Sequence, residues 1–259
     1  METSVCSFMR ACLDSYDALR GKCPKKENAV FWDAVVISAA DEQQAAAFRL
    51  QIQRKKERGL LPLVPYHVVS DLPGAKMGSG GATLHVLERL AELYGDRSFA
   101  MRTLLIHTGG QSKRLPSHSV LGKLFALLPL SADTEFQMLD LKLAMAVLWD
   151  GSCEEIAFTD SAFFFDSSVM CRMLRFYEKV KPLSYEIDAY GDFLKALGTK
   201  ARDVGNVDAP DGCGDTKPSI QDELRSSDLR VIVLPSSRFY HLGTTLEYIE
   251  NLCTSKTFE

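Results

Sequence analysis

Thr108-Gly109-Gly110-Gln111-Ser112-Lys113-Arg114-Leu115-Pro116, followed by Gly122-Lys123, gathers residue types suited to holding phosphate. Paired glycines carry no Cβ, so their backbone can approach an anion closely and donate N–H groups to it. Lys113, Arg114 and Lys123 can neutralise phosphate oxygens. The apolar run Thr103-Leu104-Leu105-Ile106-His107 just before them reads as a buried parallel strand, so the glycines fall at a strand exit. The plainer reading is an ordinary strand end followed by a solvated Lys-Arg pair; the spaced Lys123 weighs against it.

A second glycine cluster, Gly78-Ser79-Gly80-Gly81-Ala82-Thr83, lies upstream. As a dinucleotide fingerprint it fails, because Thr83 stands where the third glycine belongs and no acidic strand end follows to anchor a ribose. Gly122-Lys123 is no P-loop either, since Leu124 replaces the Ser or Thr that would hold Mg²⁺. Alone, residues 78–83 read as a tight turn before a helix. Paired with the loop at 109–116 they suggest a nucleotide cradle, one loop near the base and the other on the phosphates.

The elements that must position these loops alternate between strand and helix. Phe31–Ser38, Pro65–Ser70, Thr103–His107, Ile156–Asp160 and Arg230–Leu234 have the apolar character of strands. Between them run expected helices at 7–21 (Met9, Cys12, Leu13 and Leu19 inward), 39–58, 84–94, 136–149, 169–180 and 188–197. In the third of these Leu84, Leu87, Leu90 and Leu93 share one side, and Gly95 lies just past its end. Thr134 with Gln137, and Thr244 with Glu247, have capping-box spacing. Lys22 to Asn28 reads as a linker and residues 199–222 as a Gly, Asp and Pro-rich surface loop. This order predicts an α/β fold, a doubly wound, mostly parallel sheet with right-handed crossovers and ligands at the strand carboxyl ends. Residues 1–28 form an N-terminal helix and linker in this reading, and 29–259 the α/β domain.

The chain has 259 residues, 46% of them hydrophobic, enough for a sizeable core. A net charge of −4 leaves no electrostatic footprint for nucleic acid or an anionic membrane, so neither is expected as a partner. The basic run Arg54-Lys55-Lys56-Glu57-Arg58 reads as the solvated end of a helix. Seven cysteines, an odd number with no C-x-x-C pair, read as reduced thiols of a cytoplasmic protein. The first residues lack a secretory pattern, and apolar stretches such as Leu124–Leu130 are too short to span a bilayer.

Pro73 to Leu84, Leu105 to Pro116 and Gly122-Lys123, with Phe158-Thr159-Asp160-Ser161, Glu186 to Leu194 and Phe239 to Thr245, resemble the GDP-L-fucose pyrophosphorylase (fucose-1-phosphate guanylyltransferase) family. The likeness runs from about Phe31 to about Tyr248, through separated motifs in the family's order. It implies a nucleotidyltransferase (Rossmann-like) type of fold. It also implies the reaction of GTP with L-fucose 1-phosphate to GDP-L-fucose and pyrophosphate, with Mg²⁺. Carried over, Arg114 and Lys123 are the catalytic cations. Gly109, Gly110, Gln111 and Lys113 hold the triphosphate, and Gly78, Ser79, Gly80 and Gly81 meet the guanine and ribose through backbone groups. Asp160, at an expected strand end, is the metal candidate. His241 stands where many nucleotidyltransferases carry a metal-binding Asp; Mg²⁺ prefers oxygen, so a phosphate or sugar contact suits it better. Glu186 and Asp188 can bond sugar hydroxyls, although Asp188 also suits a helix cap.

The chain departs from the family pattern twice. A strand ending in an Asp pair, expected between the long helix and the Thr-Asp-Ser block, is missing: Trp149 and Asp150 lead directly to Gly151 and Glu154. A C-terminal repeat region of β-helix type is also missing. Besides a shortened guanylyltransferase, the pattern therefore fits a non-catalytic nucleotide-binding or regulatory relative that has lost the metal site.

Overall fold

The computed structural model describes residues 5–74, 76–108, 122–128, 135–144, 165–197, 219–225, 227 and 244–251. They belong to two compact units. One draws on Met1–Ser70, Arg102–Thr159 and Ile232–Glu259, the other on Asp71–Met101 and Asp160–Val231. The expected strands at 156–160 and 230–234 lie outside the described residues.

In the first unit β1 (Ala34–Ala39) is buried at every position. It runs parallel between β2 (Tyr66–Ser70) and β3 (Thr103–His107), with Ile37 opposite Val68 and Ile106. A continuous apolar run is what a strand needs when it is covered on both faces. The α/β reading therefore holds over this parallel sheet. Helix α2 (Glu42–Glu57) connects β1 to β2. It starts later than the apolar periodicity predicts because Ala39 stays in the strand and Asp41 caps the helix, accepting from the Gln44 N–H at 2.7 Å. Ala45, Phe48 and Ile52 turn inward from α2, and Phe48 meets Phe125 with ring centroids 5.4 Å apart.

Helix α1 (Val5–Leu19) places Cys12, Tyr16 and Leu19 in the same core. The expected helix at 136–149 begins at Met138 instead. Phe136–Gln137 (β5) pairs antiparallel with Leu127–Leu128 (β4), and α4 (Met138–Ala144) follows. Near the C-terminus α7 (Thr245–Ile249) carries the predicted capping box of Thr244 and Glu247.

One expectation fails inside this core. Lys55 belongs to the run read as a solvated helix end, yet it is buried. It sits on the inward face of α2, three residues after Ile52, and donates to Asp140 Oδ2 at 2.9 Å. Asp140 is itself fully buried and also accepts from the Tyr16 hydroxyl at 2.6 Å and the Gln137 N–H at 2.8 Å. Arg20 adds an ion pair to it at 3.2 Å while lying 4.2 Å from the Phe136 ring centroid. A buried charge persists only when paired and hydrogen-bonded, and here one carboxylate ties α1, α2 and α4 together.

The second unit is built on α3 (Gly78–Tyr94) and α5 (Ser167–Val180). Leu84 of α3 packs with Met173, Phe176 and Tyr177 of α5 and with Ile187 and Phe193. Leu90 is buried, but Leu93 is 53% exposed, so the predicted leucine stripe stops short of the helix end at Gly95. Two further elements differ from expectation. Residues 188–197 form a π-turn (Ala189–Phe193) and a 3-10 turn (Leu194–Ala196) in place of an α-helix. Within the expected loop 199–222, Ser219 caps a short α6 (Ile220–Leu224) that buries Ile220 and Leu224. Arg172 of α5 fixes that end by donating to Glu223 O at 3.0 Å and to Ser227 Oγ at 2.7 Å. Among the described residues no helix is long and apolar enough to cross a membrane.

Candidate functional site

The glycines at 78–81 are not a loop: α3 begins at Gly78 and runs through them. Gly78 has φ +71°, and a Cβ there would lie 2.4 Å from Ile187 O. A Cβ on Gly80 would come within 2.7 Å of Ile187 Cγ2. The missing side chains thus admit the strand-like segment Glu186–Asp188 against the first turn of the helix. Its backbone supplies what a helix start lacks: Ile187 O accepts from the Gly80 N–H at 2.8 Å and the Gly81 N–H at 3.2 Å. Ile187 N–H in turn donates to Met77 O at 2.9 Å.

Two groups of residues that the sequence assigns to different ligands meet here. Ser79 Oγ donates to Asp188 Oδ1 at 3.0 Å and accepts from the Ala189 N–H at 2.9 Å. Asp188 also caps the turn after it, accepting from the Gly191 N–H at 2.6 Å. Glu186 is exposed and stands 3.6 Å from the ammonium of Lys76.

The first unit holds the described part of the phosphate motif. Gly122, at φ +67°, lies under Phe48, where a Cβ would sit 3.2 Å from Cζ. Lys123 then opens a 3-10 turn whose next residues, Leu124 and Phe125, are buried. The core therefore anchors both sides of a half-buried lysine. At the carboxyl end of the sheet, Thr108 Oγ1 donates to Ser38 O at 2.7 Å, and Ser38 Oγ bonds His107 Nδ1 at 3.2 Å. Desolvation lowers the His107 pKa to about 4 even though part of the residue meets solvent, so the ring is neutral near pH 7. Sequence reading passed over Ser38 and His107; the signal was their place at the carboxyl ends of neighbouring parallel strands. Gly109, Gly110, Gln111, Lys113, Arg114, Asp160 and His241 lie outside the described residues. A pocket of about 260 Å³ between α2 and β2, lined by Arg49, Gln53, Lys56 and Tyr66 among others, contains none of the predicted site residues. Among the described residues no three His, Cys, Asp or Glu side chains converge on a metal position.

The motifs carried on these elements belong to a pattern with known relatives. The fucose pyrophosphorylase domain matches residues 95–153 and 147–259. The human fucose-1-phosphate guanylyltransferase is 32% identical over 361 aligned positions that take in 96% of this chain and 59% of the human protein.

The chain belongs to the fucose pyrophosphorylase family.

The mouse fucose-1-phosphate guanylyltransferase is likewise 32% identical, over 92% of this chain. A bifunctional fucokinase/GDP-fucose pyrophosphorylase of Arabidopsis thaliana is 33% identical over 52% of it. The chain spans about three-fifths of the length of its human and mouse relatives. No solved structure matches it. The 361 positions of the human alignment exceed the 259 residues of the chain, so at least 102 of them have no residue here. The two blocks matched by the family overlap at residues 147–153, where the sequence runs Trp149-Asp150-Gly151.

Proposed function

We propose that the chain is a nucleotidyltransferase that makes GDP-L-fucose and pyrophosphate from GTP and L-fucose 1-phosphate. The observation that carries this reading is the 32% identity to the human guanylyltransferase across 96% of the chain. In the reaction a phosphate oxygen of fucose 1-phosphate attacks the α-phosphorus of GTP in line. The bond from that phosphorus to the bridging oxygen breaks, and pyrophosphate leaves with the electron pair. No covalent enzyme intermediate is needed, so positioning and cationic stabilisation carry the rate.

The residue roles proposed are those that the family resemblance implies. Arg114 and Lys123 stabilise charge on the transferring phosphoryl group, while Gly109, Gly110, Gln111 and Lys113 cradle the triphosphate. At the start of α3 Gly78 and Ser79 are the proposed nucleoside contacts; Gly80 and Gly81, expected to share that role, are buried with their N–H groups bonded to Ile187 O. Glu186 and His241 are the sugar-phosphate contacts, with Asp188 considered below. Mg²⁺ is the proposed cofactor and Asp160 its proposed protein ligand. The described residues bring no donor set together for it, so no step is assigned to the metal. Cytoplasmic action is part of the proposal and suits an odd cysteine count with no C-x-x-C pair.

The test is pyrophosphate release from GTP and fucose 1-phosphate by the purified chain, beside calorimetric titration of GTP. Turnover and binding are both expected. GTP binding without turnover, with the human relative active in parallel, would move the chain to a second reading, a nucleotide-binding relative without catalysis. That reading is favoured by the 102 or more aligned positions missing here. Absence of GTP binding would overturn both.

A further inference from the structure

We propose that Ser79 and Asp188 form a latch that sets the start of α3 for the nucleoside, which makes Asp188 a positioning residue and not a sugar ligand. The latch itself stands on geometry; its consequence for GTP rests on the guanylyltransferase reading.

Both carboxylate oxygens of Asp188 are engaged by its own chain, Oδ1 by the Ser79 hydroxyl at 3.0 Å and Oδ2 by the Gly191 N–H at 2.6 Å. Ser79 Oγ closes a ring of bonds by accepting from the Ala189 N–H at 2.9 Å. Three backbone bonds between Ile187 and residues Met77, Gly80 and Gly81 run beside this ring. Glycine at 78 and 80 is what lets the two segments approach so closely. The first turn of α3 and the segment 186–191 therefore move as one piece, and the hydroxyl–carboxylate pair fixes their relative rotation.

Charge adds a second consequence. A carboxylate at a helix N-terminus is favourable because it faces the positive end of the dipole. It also repels any other anion brought to the same place. With Asp188 there, the start of α3 favours an uncharged base and ribose over a phosphate group. Asp188 is exposed, so water competes for its bonds and the latch tunes geometry without holding up the fold.

The experiment compares the full chain with Ser79→Ala, Ser79→Thr, Asp188→Asn and the double variant Ser79→Ala/Asp188→Asn. Amide exchange at Gly80, Gly81 and Ala189 is read beside the affinities for GTP and for fucose 1-phosphate. Ser79→Ala should speed exchange at all three amides and weaken GTP binding about tenfold, with a smaller loss of fucose 1-phosphate affinity through the loosened Glu186. Asp188→Asn should match it, the double variant should add little beyond either single change because the two act as a unit, and Ser79→Thr should restore both readouts. Loss of fucose 1-phosphate affinity in Asp188→Asn, with GTP affinity and exchange unchanged, would overturn the latch and make Asp188 a sugar ligand. If the parent chain binds no GTP, the functional reading fails, and the exchange rates alone decide the latch.

Discussion

Replacing Asp140 by Asn keeps the side chain's shape and removes its charge. In the parent protein this carboxylate, wholly buried, faces Lys55 at 2.9 Å and Arg20 at 3.2 Å, whose side chains are 3% and 6% exposed. The asparagine leaves two cations in the core with no buried anion opposite them, and of the groups around its amide only the Tyr16 hydroxyl can accept a hydrogen bond. Breaking a buried pair in this way costs about 3–5 kcal/mol. An expected loss of about 4 kcal/mol follows, a large share of a domain's typical 5–15 kcal/mol. Trp32 packs against the same core, so tryptophan fluorescence reports this unit in a urea titration. With a slope of about 2 kcal/mol per molar urea, the midpoint should fall by roughly 2 M. Adding Lys55→Met to Asp140→Asn removes one of the stranded cations and should recover part of the loss. An Asp140→Asn midpoint within about 0.5 M of the parent would refute the reasoning, since the network would then be ornamental to stability.

Gly78→Ala should destabilise the second unit by more than the ~1–2 kcal/mol that a left-handed conformation costs an L-residue, because its Cβ would also press on Ile187 O at 2.4 Å. Gly95→Ala, at φ +57° with open space around it, should cost only the conformational part; equal losses for the two in hydrogen-exchange stability would contradict the close-packing account. Burial holds the His85 pKa below its ordinary 6.5. Below that pH the unfolded chain therefore takes up a proton that the native ring refuses, and the second unit loses stability as pH falls. The stability advantage of the parent over His85→Gln should shrink between pH 7 and pH 5, and a difference that stays constant would count against a desolvated ring.

Local pattern was enough for β1, β2, β3 and α5, because each has an apolar run or stripe whose period selects one element. The Thr244 box was legible for the same reason: capping chemistry is confined to four residues. Pattern misled at 188–197, where Asp188 and Asp192 bond the backbone nearby and tighten the chain into π and 3-10 turns. It misled again at Lys55, whose partner Asp140 lies 85 residues away in sequence.

By itself, then, the sequence determined the family, the alternating α/β order and the chemistry of the glycine and cation motifs, since these depend on residue type and short spacing. Only the tertiary structure decided what the glycines at 78–81 do. The N–H groups of Gly80 and Gly81 and the missing Cβ atoms of Gly78 and Gly80 answer to Ile187, more than a hundred residues along the chain. The same holds for Ser79 and Asp188, which the sequence assigned to different ligands and the fold joined by a 3.0 Å hydrogen bond. The physical reason is that close approach and hydrogen bonding are set by distance in space, which local propensity does not encode across such separations.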